Sequence, residues 1–175
     1  MNYLSNYETE RLIIRPLTEE DTQPWLEFIS DKECMTFLPS PAHMSLQQQT
    51  EYWMNRQFLR YKENRYGLMA LVEKETGNLV GQCGLLLQEI EGEQVMEIGY
   101  HLFKKYWGKG YATEAASFFK ELAFKNDYSK ELVSIIDEGN TASEHVARRN
   151  GMTWKKASTY TDLPVNVYSI SNSGK

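Results

Sequence analysis

The sequence predicts an α/β (α+β) fold: one domain built on a central mixed, mostly antiparallel sheet flanked by about four helices. Three observations carry this prediction. The 175 residues, 41% hydrophobic and 13% aromatic, suit one globular domain with a full-sized core. Three apolar segments at about 67–73, 79–90 and 94–102 are separated only by Thr76-Gly77-Asn78 and Glu91-Gly92-Glu93, links so short that the segments must pair antiparallel. Around them, other segments repeat apolar residues at helical spacing, which covers a sheet with helices.

In chain order, Arg11-Leu12-Ile13-Ile14-Arg15 stops at Pro16 and predicts a first strand at about 9–16. Asp21 or Thr22 caps a helix that tolerates Pro24 in its first turn, places Trp25, Phe28 and Ile29 on one face and ends near Ser30. Pro39 and Pro41 make 35–43 an irregular loop. Ser45 and Gln48 form a capping box for a helix running to about Asn64, with Leu46, Trp53, Phe58 and Tyr61 as its apolar face. After the three strands, Tyr111, Ala115, Phe118, Phe119 and Leu122 mark a third helix. A strand at about 130–136 follows, then a helix from Asn140 to Asn150 stopped by Gly151, then strands near 152–159 and 165–171. No linker or repeat divides 1–175, and 171–175 reads as a polar tail free to be disordered.

Nineteen Lys plus Arg against 24 Asp plus Glu give a net charge of -5, so no basic footprint points to nucleic acid or an anionic membrane. Cys34 and Cys83 lack paired spacing, and His43, His101 and His145 lack metal-ligand spacing, so neither a disulfide framework nor a metal site is expected. With no signal-peptide pattern and no apolar stretch of the ~18 residues that span a bilayer, the expected location is the cytoplasm.

The most informative stretch runs from Glu97 to Ala115. A strand enters Trp107-Gly108-Lys109-Gly110-Tyr111-Ala112-Thr113, which opens a helix, so successive N–H groups at 108–113 can converge on an anion. Lys104, Lys105 and Lys109 gather positive charge there in an acidic chain. The competing reading is an ordinary Gly-rich turn with solvated lysines. A P-loop would need Ser or Thr after Lys109, where Gly110 stands, and a dinucleotide fingerprint would need a third glycine at Thr113 and a parallel βαβ unit.

The Tyr106-Trp107-Gly108-Lys109-Gly110-Tyr111-Ala112-Thr113-Glu114-Ala115 string resembles the phosphate-cradling motif of the GNAT acyltransferase superfamily except at its first position, Trp107. With Asn140-Thr141-Ala142-Ser143 before Gly151, it is most similar to the ribosomal-protein N-terminal acetyltransferase-like (RimJ/RimL-like) branch. The element order also matches that fold over nearly the whole chain. The resemblance implies acetyl-CoA as cosubstrate and no metal, with the pyrophosphate on the N–H groups of Gly108, Lys109, Gly110, Tyr111, Ala112 and Thr113. It implies that Asn140 and Ser143 contact the pantetheine arm, although Asn140 as a plain N-cap is an equal reading.

Glu97, between Met96 and Ile98 in an apolar strand, must find partners or have its pKa raised, and it is the candidate general base. N–H groups along Ile98, Gly99 and Tyr100 are placed to polarise the thioester carbonyl. In the resembled family a Tyr of the last helix often protonates the leaving thiolate; Ala147 holds that position here, which leaves Ser143 as the catalytic acid candidate. Arg148 and Arg149 are more simply matched to their helix's own C-terminal dipole than to a CoA phosphate, and Glu114 to its helix N-terminus. His101 stands near enough in sequence to affect Glu97.

The expected activity is direct transfer of an acetyl group to a primary amine: a protein N-terminal α-amine, a polyamine or another small amine. The alternatives are a non-catalytic acyl-CoA-binding or sensing domain and a nucleotide-binding protein. Glu89, Glu91 and Glu93 would suit a cationic acceptor or be a solvated turn. A monomer and a homodimer are both compatible with the sequence.

Overall fold

The computed structural model describes residues 3–41 and 43–172. Eight strands form one sheet: β1 (Tyr7–Glu8), β2 (Leu12–Arg15), β3 (Leu68–Glu73), β4 (Leu79–Ile90), β5 (Glu93–Leu102), β6 (Glu131–Asp137), β7 (Thr153–Tyr160) and β8 (Leu163–Ser171). Their spatial order is β1-β2-β3-β4-β5-β6-β8-β7, and every neighbouring pair is antiparallel except β5 and β6. A parallel pair needs a crossover, which α3 (Tyr111–Lys125) supplies.

Helices α1 (Thr22–Ser30) and α2 (Leu46–Lys62) cover one face, where Trp53 Nε1 donates to Gln82 Oε1 of β4 at 3.0 Å. Helices α3 and α4 (Thr141–Arg149) cover the other, where Phe119 packs on Tyr3 in the core. Trp25, Phe28 and Ile29 are buried together, with Trp25 and Phe28 stacked at 4.2 Å. The β4–β5 hairpin turns on Glu91 and Gly92 alone, both left-handed (φ 53° and 81°), so Glu93 already belongs to β5.

Four local expectations are corrected. The first strand does not run unbroken from 9 to 16: the Thr9 N–H donates to Leu12 O at 2.9 Å and its hydroxyl accepts from Leu12 N–H at 3.1 Å. This tight turn folds β1 back on β2. Asp21 does not cap α1 with its side chain; Arg15 and Thr18 hold that carboxylate. On α2, Leu46 is 48% exposed while Gln49, Thr50, Met54 and Gln57 are buried. Burial of polar residues is sustained there by specific partners, Gln57 Oε1 accepting from Leu68 N–H at 3.0 Å and Thr50 Oγ1 donating to Leu46 O at 2.8 Å. Finally, Ser171 closes β8 opposite Glu131 and Asn172 N–H donates to Lys130 O at 2.8 Å, so the tail expected from 171 does not begin there; 173–175 lie outside the described residues.

Among the described residues, no helix is long and apolar enough to cross a membrane and no group of His, Cys, Asp or Glu is arranged to hold a metal ion.

Candidate functional site

The parallel seam opens almost as soon as it forms. β5 pairs with β4 along its whole length, but with β6 it shares only the Glu97–Val133 pair among the described residues. Just beyond, Ser134 Oγ donates to Ile98 O at 3.3 Å, which shows that Ile98 turns its backbone groups toward β6. Strand alternation turns those of Tyr100 the same way. A cavity of about 640 Å³ fills the gap. Glu97, Ile98, Gly99 and Tyr100 line it together with Gly108, Gly110, Tyr111, Ala112, Thr113, Asn140 and Ser143. The third dimension thus gathers segments that the sequence holds more than forty residues apart.

At one end of the cavity, a 3₁₀ turn at Lys104–Tyr106 leads into Gly108 and Gly110, both left-handed (φ 72° and 84°). The first helical bond of α3 is Glu114 N–H to Gly110 O at 3.0 Å, so the N–H groups of 108–113 have no acceptor among the described residues. A Cβ on Gly108 would meet nothing within 4 Å, which leaves that edge of the loop open. Arg11 holds the loop from behind. Its Nε and Nη2 grip Glu114 at 2.7 Å, its Nη1 donates to Lys109 O at 2.8 Å, and its guanidinium lies 4.4 Å from the centre of the Tyr111 ring. Thr9 Oγ1 donates to the same carboxylate at 2.6 Å. Glu114 is therefore the hub of this clamp rather than a bare partner for the helix dipole.

The expected concentration of lysines is corrected here. Lys104 pairs with Glu33 at 2.5 Å and Lys105 with Glu27 at 3.5 Å, so their charges are answered by acids on the α1 side. Lys109 does not line the cavity; its ammonium lies 5.3 Å from the centre of the Tyr106 ring. Trp107, at the exceptional position of the motif, is 46% exposed and donates from Nε1 to Leu102 O at 2.8 Å. The anion-binding capacity of this end rests on backbone donors.

In the middle of the cavity, Asn140 Oδ1 accepts from Ser143 N–H at 3.1 Å, the N-cap arrangement that the sequence left open. The Tyr100 hydroxyl donates to Ser143 O at 2.9 Å, tying β5 to the start of α4. Burial raises the pKa of this phenol strongly, and the Ser143 side chain beside it works in the opposite direction. Ala147 is only 2% exposed and faces the core, so this helical position has no access to the cavity. Arg148 is taken by Glu144 at 2.9 Å, while Arg149 lines the wall.

At the other end stands Glu97. It is half-buried, and Gln88 Nε2 of β4 donates to its Oε2 at 2.8 Å. Burial lifts its pKa above the ordinary carboxylate value, while the Gln88 hydrogen bond and the Arg60 charge pull the other way without cancelling the lift. His101 does not act on Glu97 as its sequence position suggested. It packs edge-on against Trp53 at 4.9 Å, and burial lowers its pKa to about 4, leaving a neutral imidazole. Cys34 and Cys83 are both buried with raised pKa values, burial being the main cause, so neither has the character of a nucleophile.

Sequence reasoning missed four residues of this chamber: Arg56 and Arg60 of α2, Gln88, and Tyr160 beside the β7–β8 turn. The basic i,i+4 pair on α2 was a readable signal. Gln88 and Tyr160 carried none, because only strand register brings them to Glu97.

The profile of the acetyltransferase (GNAT) domain matches residues 11–153. The uncharacterized protein YkkB of Bacillus subtilis is 32% identical over 171 residues, covering 96% of each chain. The crystal structure of an acetyltransferase from Agrobacterium tumefaciens is similar with a TM-score of 0.81 at 27% identity, over 96% of this chain and 95% of that one. The ribosomal L7/L12 N-acetyltransferase RimL, solved in complex with coenzyme A, shares the fold with a TM-score of 0.79 at 17% identity, over 95% of this chain and 98% of that one. A seam that parts at Glu97, a glycine turn with open N–H groups and a matching profile over most of the length have one common explanation: this chain belongs to the GNAT acetyltransferase family.

Proposed function

We propose that this protein transfers the acetyl group of acetyl-CoA directly to a primary amine, with Glu97 as general base. The observation that carries the reading is that one cavity joins open N–H groups at 108–113 to a half-buried carboxylate of raised pKa. The glycine turn fits a pyrophosphate, because left-handed Gly108 and Gly110 let phosphate oxygens reach the backbone and the positive end of α3 favours the charge. Lys109 contributes its N–H rather than its ammonium. The unpaired edge at Ile98, Gly99 and Tyr100, with Asn140 and Ser143 opposite, is the channel for the pantetheine arm. When bound, acetyl-CoA supplies an activated thioester.

The residues of the chain then have separate tasks. An α-amine of pKa about 7.7 to 8.0, or a lysine-type amine of about 10.4, arrives protonated at neutral pH and must lose a proton before it can attack. Glu97 takes that proton, and its raised pKa makes it a stronger base than an exposed carboxylate. The Tyr100 N–H, the first on β5 turned toward the gap beyond the Glu97–Val133 pair, stabilises charge developing on the acyl oxygen. Ser143, whose side chain lies beside the Tyr100 hydroxyl, relays a proton: it takes up the second proton that the acylated nitrogen sheds as it passes its own to the leaving sulfur, whose thiol pKa is near 8.5, and so ends as it began. The two buried free thiols, Cys34 and Cys83, are in keeping with a cytoplasmic setting.

Incubating the protein with acetyl-CoA and a panel of amines while following free thiol tests this reading. Amine-dependent thiol release with a matching acetylated product supports it. Binding of acetyl-CoA with no amine-dependent release across the panel would instead mark a domain that binds or senses acyl-CoA.

A further inference from the structure

Two arginines look into the Glu97 end of the cavity without a direct ion pair among the described residues. Arg56 and Arg60 lie one turn apart on α2, so they share a face, and both line the cavity. Several other cations, Arg11, Arg15, Lys104, Lys105 and Arg148 among them, are matched with acids, and Arg149, which also lines the cavity without an ion pair among the described residues, does so from α4 on the other face of the sheet. Arg60 Nη1 donates to Gln57 Oε1 at 3.3 Å, and Arg56 lies 5.7 Å from the centre of the Tyr52 ring. Arg60 is half-buried, and both that burial and the like charges of Arg56 and Arg65 work against its protonated form. Glu97 and Tyr160 favour the Arg60 cation from across the chamber, but one carboxylate there faces two guanidinium groups, and a second anion placed between the pair would offset their mutual repulsion.

Strand alternation says which ligand that anion belongs to. His101 packs on Trp53 of α2, so Glu97, two alternations away on β5, also points to the α2 face. Tyr100 points the opposite way and reaches Ser143 of α4. Arg56 and Arg60 thus share the side of Glu97, away from the N-terminus of α3. Tyr160 and Leu163, on either side of a two-residue turn at Thr161 and Asp162, complete the same chamber. The acidic turn that could have favoured a cation stands outside this chamber: Glu89, Glu91 and Glu93 do not line the cavity, and Glu91 binds Lys156 and Ser158, each at 2.6 Å.

Resting on the acetyl-transfer reading above, we propose that the acceptor is a small primary amine that also carries a carboxylate or phosphate-type group, bound by Arg56 and Arg60 while its ammonium meets Glu97. The guanidinium fork matches either anion, and the same two charges repel a polyamine.

The test compares kcat/KM for acceptors of equal length: an ω-amino carboxylate, an ω-aminoalkyl phosphonate, the uncharged amino alcohol and the diamine. At least one anionic acceptor should exceed the alcohol tenfold or more, with the diamine poorest; the carboxylate and phosphonate arms identify the anion. In R56Q/R60Q the anion-to-alcohol ratio should fall at least tenfold, and in R56K/R60K it should fall less. Equal rates for acid, alcohol and diamine overturn the proposal, as does a ratio that the double Gln variant does not move. If that variant does not fold, the wild-type preference decides. A second readout needs no turnover: an amine-free carboxylate or alkyl phosphonate, titrated calorimetrically into CoA-loaded protein, should bind wild type at least tenfold more tightly than R56Q/R60Q. Such binding without transfer to any amine overturns acetyl transfer alone, whereas transfer without an anion preference overturns only the role of the arginines.

Discussion

Gln88 on β4 donates a 2.8 Å hydrogen bond to Glu97 on β5, reaching it diagonally, two residues beyond Leu86, the cross-strand partner of Glu97. The bond favours the charged carboxylate while burial favours the neutral acid, and burial prevails. The proposed base is therefore tuned from a neighbouring strand.

Replacing Glu97 by Gln keeps the shape and removes proton acceptance. The chemical step should slow by roughly 10²- to 10⁴-fold, with acetyl-CoA affinity within about twofold of wild type. Single-turnover rates and calorimetric binding check the two halves. Turnover equal to wild type from pH 6 to 9 would remove Glu97 from the mechanism.

The same substitution has a signature in stability. A carboxyl whose folded pKa lies above its unfolded value binds more protons when folded, so its contribution favours folding at low pH and is lost as pH rises through the folded pKa. Urea midpoints measured upward from pH 4.5 should show the gap between wild type and E97Q closing or reversing in favour of the variant. A gap that stays constant with pH would mean that Glu97 is not raised.

Gln88→Leu removes the hydrogen bond that favours the charged form and should raise the Glu97 pKa further. A hydrogen bond to a charged group is worth about 1.5 to 3 kcal/mol at most, so the acid limb of the rate profile should move up by about one pH unit. An unmoved limb would assign that limb to another group.

Gly108 separates charge from shape. Asp and Asn both tolerate its left-handed backbone, and a Cβ there meets nothing within 4 Å, so both variants should fold. G108D should weaken acetyl-CoA binding at least tenfold more than G108N, because it sets a carboxylate where the pyrophosphate approaches. Equal affinities would place the phosphates elsewhere.

Glu114 tests the clamp behind the loop. Burial alone would raise its pKa, yet hydrogen bonds from Thr9 and Arg11 hold it below the ordinary value. Its stabilisation is present above the unfolded pKa and lost as pH falls through the folded one. Arg11→Gln should therefore cost about 1 to 2 kcal/mol near neutrality, with the difference shrinking toward pH 3 in urea unfolding. A pH-independent difference would mean that Arg11 acts through packing on Tyr111 alone.

Much of the architecture was legible because it follows from local rules. Turn residues at Glu91-Gly92, the capping box of Ser45 and Gln48, and the periodicity of α3 are properties of a few neighbouring residues, and the chain folds there as they direct. Legibility failed where a distant partner overrode a local preference. Buried Gln57 on α2 depends on the Leu68 N–H, and Lys104 and Lys105, gathered by sequence around the glycine turn, are drawn to Glu33 and Glu27 of another segment.

The candidate site divides in the same way. The sequence by itself determined the glycine turn that opens α3 and the polar start of α4, since left-handed glycines and an Asn cap need only their own neighbours. It also placed one carboxylate in an apolar strand. Only the tertiary structure decided that β5 and β6 part after a single residue pair, that Gln88 reaches Glu97, and that Arg56 and Arg60 face the same cavity as that carboxylate. Strand register and helix docking set those distances, and both arise from packing the whole core, which no short window of sequence contains.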